Sequence, residues 1–153
     1  MQDWVGQWVQ EGRLWIWQYA EPNHSWRGWH LSADPVGCRS VRNLLDRMSG
    51  GEPCYRTLQL DPVADAVLRV PNYGKKSRGH FSKLRVEFQP DHGDLTLVPD
   101  QERLILTVGN KRLRTLSSAF AAVEVGDGDF GIGTSDNKRA DPWMFWWPPR
   151  FAQ

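Results

Sequence analysis

The side chains best suited to nucleophilic or general-base chemistry are Cys38, Cys54, His24, His30, His80 and His92. A cysteine becomes reactive when a base or a helix N-terminus stabilises its thiolate. Cys38 opens a stretch of helical spacing, and His30 follows Trp29 in a stretch of strand character, so a His30–Cys38 pair is compatible with the spacing. The weightier reading is that a small cysteine at a helix start simply packs. No paired CxxC and no HExxH occurs, so no zinc site is expected. Glu21, Asp34, Asp61, Asp65 and Glu102 stand near strand ends, and their spacing pairs no two of them as an acid and a base. We therefore assign no catalytic residue, no metal ligand and no cofactor from the sequence, and rank an enzyme below a binding protein.

Two polar segments invite ligand readings. GDGDFGIGTSDNKR (126–139) is glycine-rich but lacks GKS/T and follows a helix, whereas phosphate loops run from a strand into a helix. Asp127, Asp129 and Asp136 carry hard-cation chemistry without the calcium-loop register or its closing glutamate, so a helix cap, a tight turn and a short strand are expected there. PNYGKKSRGHFSK (71–83) brings Tyr73, Lys75, Lys76, Arg78 and His80 together in a turn-rich insertion. Cations interleaved with aromatic rings suit phosphates and stacked bases, which makes nucleic acid or another anionic ligand the first alternative function. A formal net charge of +1 gives no general cationic excess in its favour.

The nine tryptophans lie at positions 4, 8, 15, 17, 26, 29, 143, 146 and 147, with none between 30 and 142. Large rings gain most by burying against one another, so the two ends of the chain are expected to meet in space. Alternation in PWMFWWP places Trp143, Phe145 and Trp147 on one face and Met144 with Trp146 on the other. The N-terminal WVGQWV segment is the expected cover for that second face. Left uncovered, the face forms an aromatic surface of Trp4, Trp8, Trp26, Met144 and Trp146, and such patches mark binding sites. The leading expectation is a binding module without catalysis that recognises a protein, in the manner of an immunity protein or inhibitor. A ligand-binding protein or small enzyme with an aromatic-lined pocket is the second alternative.

The elements that position these residues follow from periodicity. RLWIWQYA (13–20) places Trp15, Trp17 and Tyr19 opposite Leu14 and Ile16, which reads as a central strand covered on both faces. WRGWHL (26–31), YRTLQLD (55–61), DAVLRV (65–70), Leu84-Val86-Phe88, Leu95-Leu97 and Leu104-Leu106-Val108 give further strands. Val41, Leu44, Leu45 and Met48 follow helical spacing between Asp34-Pro35 and Gly50-Gly51, as do Leu113, Leu116, Phe120 and Val123 between Asn110 and Gly126. The fold class expected is α+β: one antiparallel sheet of about six to eight strands with two helices on one face. A strand-turn-strand-helix unit followed by a strand is expected at 13–50 and again at 94–126, a pseudo-duplicated architecture without a repeat in the residues themselves. A chain of 153 residues is the size of one domain. No secretory signal pattern and no run of about 20 apolar residues is present, so a cytoplasmic protein with free thiols and no membrane contact is expected. An exposed tryptophan-rich edge also allows a homodimer.

Overall fold

The computed structural model describes residues 2–21, 27–71 and 76–148. The order is α1 (Gln2–Gly6), β1 (Leu14–Trp17), β2 (His30–Ala33), α2 (Pro35–Met48), β3 (Cys54–Gln59), α3 (Asp65–Leu68), β4 (Lys83–Phe88), β5 (Thr96–Asp100), β6 (Arg103–Val108), α4 (Asn110–Glu124), β7 (Phe130–Ile132) and β8 (Trp143–Trp146). The class is α+β, but the strands form two four-stranded mixed sheets, ordered β1-β2-β8-β7 and β3-β4-β6-β5, in place of the single antiparallel sheet expected. In each sheet the central pair, β2 with β8 or β4 with β6, is parallel and the outer pairs are antiparallel. Alternation states which face of a strand is apolar and is silent on which strand lies beside it, so period two alone does not distinguish one sheet from two.

The two helices form as their spacing requires. Asp34 caps α2 by accepting from the Gly37 amide at 2.7 Å, and Pro35 occupies the first turn. The same carboxylate accepts from the Arg13 amide at 2.9 Å, tying β1 to the helix start. Gly12 turns the chain there with φ +76°, and a side chain at that position would run into the Gly37 backbone. Val41, Leu44, Leu45 and Met48 of α2 face Leu113, Leu116, Phe120 and Val123 of α4 in one apolar core. Leu14, Ile16, Leu31 and Phe145 of one sheet and Leu84, Val86, Leu104 and Leu106 of the other line the same core.

The topology contains an exchange. The series β-β-α-β-β runs from β1 to β4 and again from β5 to β8, with α3 inserted before β4. Pairing β1 with β5, β2 with β6, β3 with β7 and β4 with β8 converts the order of one sheet into that of the other. Each sheet therefore joins the first hairpin of one unit to the last hairpin of the other. The correspondence extends to single contacts, with donor and acceptor exchanged: two residues beyond β3 the Asp61 amide donates to the Leu14 carbonyl at 2.8 Å, and two residues beyond β7 the Thr134 carbonyl accepts from the Leu95 amide at 2.7 Å.

Three further expectations are corrected. DAVLRV is the short helix α3 and no strand, because Asp65 suits a first helical turn and Val67 and Leu68 then face inward together. β1 is an edge strand, although both of its faces are buried as expected. WRGWHL enters the sheet only at His30.

Because neither unit completes a sheet alone, fragments 1–91 and 92–153 are each expected to lack a cooperative urea transition by circular dichroism. Mixed at equimolar ratio they are expected to regain a single one; a cooperative transition in either fragment by itself contradicts this.

Candidate functional site

The residues of the expected aromatic surface fall into different environments. Trp8 is buried beside α2, donating from Nε1 to the Ser40 carbonyl at 2.8 Å. Trp4 is 56% exposed, with the Arg47 guanidinium 4.2 Å above its ring. Trp146 is buried and Met144 half-buried, while Trp26 lies outside the described residues. The cover over Met144 and Trp146 is not the N-terminal segment but α3 and its flanks, through Val63, Val67, Leu68 and Val70. Trp8 and Trp146 therefore present no surface, and the exposed indoles among the described residues are those of Trp4 and, just beyond β8, Trp147 at 47%.

Beneath that cover lies His30, buried completely. Its ring stacks on Trp17 at 5.5 Å and on Trp146 at 6.0 Å and meets Tyr19 edge-on at 5.0 Å. An indole N–H can only donate, so the 2.8 Å contact between Trp146 Nε1 and His30 Nδ1 makes Nδ1 the acceptor and places the proton of the neutral ring on Nε2. Cys38 belongs to the apolar core on the other face of the same sheet, so the sheet separates His30 from Cys38 and no dyad forms. Burial, followed by the charges of Glu124 and Asp34, pushes the Cys38 thiol up to about 12. Asp136 pairs with Lys111 and Arg112, each at 2.7 Å, and Lys111 with Arg112 holds its carboxyl below the usual range. No cluster of metal-ligating side chains occurs among the described residues.

Of the basic insertion, Tyr73 and Lys75 lie outside the described residues, while Lys76, Arg78 and His80 are exposed. His80 lines a cleft of about 390 Å³ whose walls are Ile16, Trp17, Leu60, Val63 and Phe81, with Ser77, Ser82 and Glu102 at the polar positions. Main-chain alternation explains why a gap opens here. The Arg13 carbonyl accepts from the Asp34 amide, so odd-numbered residues of β1 direct their peptide groups toward β2. Even-numbered residues face outward: Leu14 is met by the Asp61 amide and Gln18 by the Arg78 amide at 2.7 Å. Ile16 is the outward position left between them, with no backbone partner among the described residues. Trp17, buried in the same wall, has an indole N–H without an acceptor.

The cleft therefore has an apolar floor, with the unpaired Ile16 peptide unit and the buried Trp17 indole N–H in its wall and Lys76 and Arg78 beside the lining Ser77 in sequence. Sequence reasoning reached these cations but missed Ile16 and Trp17, because their role depends on where 61 and 78 pair along β1. No protein-family model, no curated protein and no solved structure matches this chain.

Two outcomes check this geometry. Replacing His30 by Phe strands the Trp146 indole in the interior, with an expected cost of roughly 1–3 kcal/mol in urea unfolding. Cys38, its thiol held far above neutral pH, is expected to resist a disulfide-exchange reagent at pH 8 until the protein unfolds, while the part-exposed Cys54 reacts first.

Proposed function

We propose that the protein is a binding module that takes a short, extended, acidic segment of a partner protein into the cleft beside β1. The observation that supports the reading most is the interrupted ladder at Ile16, where a peptide N–H and carbonyl face an apolar cleft between two points already paired. Extended peptides satisfy such an edge with their own main chain and place alternate side chains in pockets. Trp17, Leu60 and Phe81 suit an apolar side chain, and the indole donor suits a carbonyl. Lys76 and Arg78 flank the lining Ser77 and Lys83 follows the lining Ser82, Arg78 also donating to the Ala20 carbonyl at 3.2 Å; against one lining carboxylate, Glu102, these neighbouring cations favour an acidic flank. This keeps the protein-recognition class and moves the surface from the terminal tryptophans to the cleft, since Trp8 and Trp146 are buried.

The test uses a labelled five-residue peptide alternating Val and Glu, with an oligothymidylate of ten nucleotides as the nucleic-acid probe. The Val-Glu peptide is expected to bind and to shift the Ile16 amide and Trp17 indole signals in a nitrogen–proton correlation spectrum. The double substitution Lys76→Glu and Arg78→Glu is expected to weaken it at least tenfold. Binding of the oligonucleotide with a steep salt dependence, and none of the peptide, would overturn the protein-segment reading in favour of a polyanion site.

A further inference from the structure

The hairpin exchange that relates the two sheets also relates two clefts. The first is walled by β1, by both ends of the connection from β3 to β4, and by Glu102 in the turn between β5 and β6. A second, of about 350 Å³, is walled by Leu95, Thr96, Leu97 and Val98 at β5, by Thr134 and Pro142 at both ends of the connection from β7 to β8, and by Trp29 between β1 and β2. Under the pairing of β1 with β5 and of β3-β4 with β7-β8, one description becomes the other. The clefts adjoin: Phe81 of the first meets Trp29 of the second edge-on at 5.7 Å.

The same main-chain logic operates in the second cleft. β5 and β6 are joined by a two-residue turn closed by Asp100 and Arg103, so 100, 98 and 96 direct their peptide groups toward β6 while 99, 97 and 95 face outward. Leu95 is met by Thr134, and Pro99 has no N–H to offer. Leu97 is thus the outward unit with an unpaired N–H and carbonyl among the described residues, as Ile16 is in the first cleft. The counterpart of Trp17 is supplied from a different strand. Trp143, 2% exposed and lining this cleft, has an indole N–H without an acceptor.

Asp141 is the one charged side chain that lines this cleft; Lys138 and Arg139, exposed shortly before it in sequence, are not among the lining residues. Asp141 is exposed and without an ion-pair partner among the described residues, and exposed Asp94 precedes Leu95. Arg27, two residues before Trp29, is already engaged. We infer that this cleft is a second strand-accepting site, which pairs an extended basic segment of a partner protein along β5 through Leu97. Val98, 54% exposed on this edge, gives such a segment an apolar contact. The inference stands independently of the first cleft, because its strand, its lining residues and its test variant differ.

The probe is a five-residue peptide alternating Val and Lys, titrated into the nitrogen-15-labelled full chain. It is expected to shift the Leu97 amide and the Trp143 indole, to bind at least fivefold more weakly to Asp141→Lys, and to bind Lys76→Glu/Arg78→Glu as well as the unmodified chain. Asp141 is exposed, and the same spectra report whether its variant keeps the fold. Absence of binding, binding that Asp141→Lys leaves unchanged, or shifts confined to Ile16 and Trp17 would each overturn the second site. Failure of the Val-Glu peptide alongside success of the Val-Lys peptide removes the first reading and leaves this one.

Discussion

The parallel pairing of β2 with β8 governs the rest of the molecule. It sets His30 opposite Met144 and Ser32 opposite Trp146, two segments separated by more than a hundred residues. A parallel pair requires a long crossover. Here the crossover is most of the chain, and it carries α2, the complete second sheet and α4 between the two strands. Once the pair forms, the Ser32 hydroxyl can donate to the Trp147 carbonyl at 2.8 Å and the Trp146 indole can reach His30, so the same register is fixed by side chains as well as backbone. A one-residue slip would turn Phe145 out of the core and bring Met144 into it, exchanging faces that differ in what covers them.

Local elements were legible in the sequence because they rest on local chemistry. Asp34-Pro35 ahead of Val41-Leu44-Leu45-Met48 specifies α2 through a cap and a stripe, and both are found as read. The alternation of Trp143 and Phe145 with Met144 and Trp146 likewise reports two distinct packing environments. Sheet membership was not legible. The residues of β4 and β2 carry no mark of belonging to different sheets, since each buries the same kinds of side chain on the same shared core. The short helix over 65–68 was hidden by its length: four residues containing Val and Leu satisfy either period. Of the candidate site, the cations announced themselves by type, whereas Ile16 and Leu97 are ordinary aliphatic residues made unusual only by which peptide groups lie opposite them.

Sheet edges explain why the unusual positions are those two. Two open sheets have four edges, and unpaired edges attract other chains unless they are shortened, capped or charged. β7 is three residues long. The β3 edge places the Arg85 guanidinium 3.6 Å above the exposed Tyr55 ring. β1 is capped near its start by Asp61 and beyond its end by residues 76–78, through the Tyr19–Ser77 bridge and the Ala20–Lys76 bond. β5 is stopped by Pro99 and by the Asp100–Arg103 ion pair at 2.8 Å. Each of the β1 and β5 edges is thus blocked on both sides of one remaining peptide unit.

That residual opening is too short to be an aggregation surface. Outward-facing units recur every two residues, so one vacant unit between capped neighbours spans roughly 13 Å, room for about three extended residues. A self-templating edge needs a longer, flat run of free peptide groups. The caps exclude such a run, and Trp17 and Trp143, whose indole N–H groups are buried without an acceptor, line the two gaps. Burying an indole N–H without an acceptor costs on the order of 1–3 kcal/mol, and the chain carries that cost once in each cleft. Only a carbonyl that reached the indole would remove that cost, so any occupant of either cleft would be selected by matching geometry ahead of apolar area.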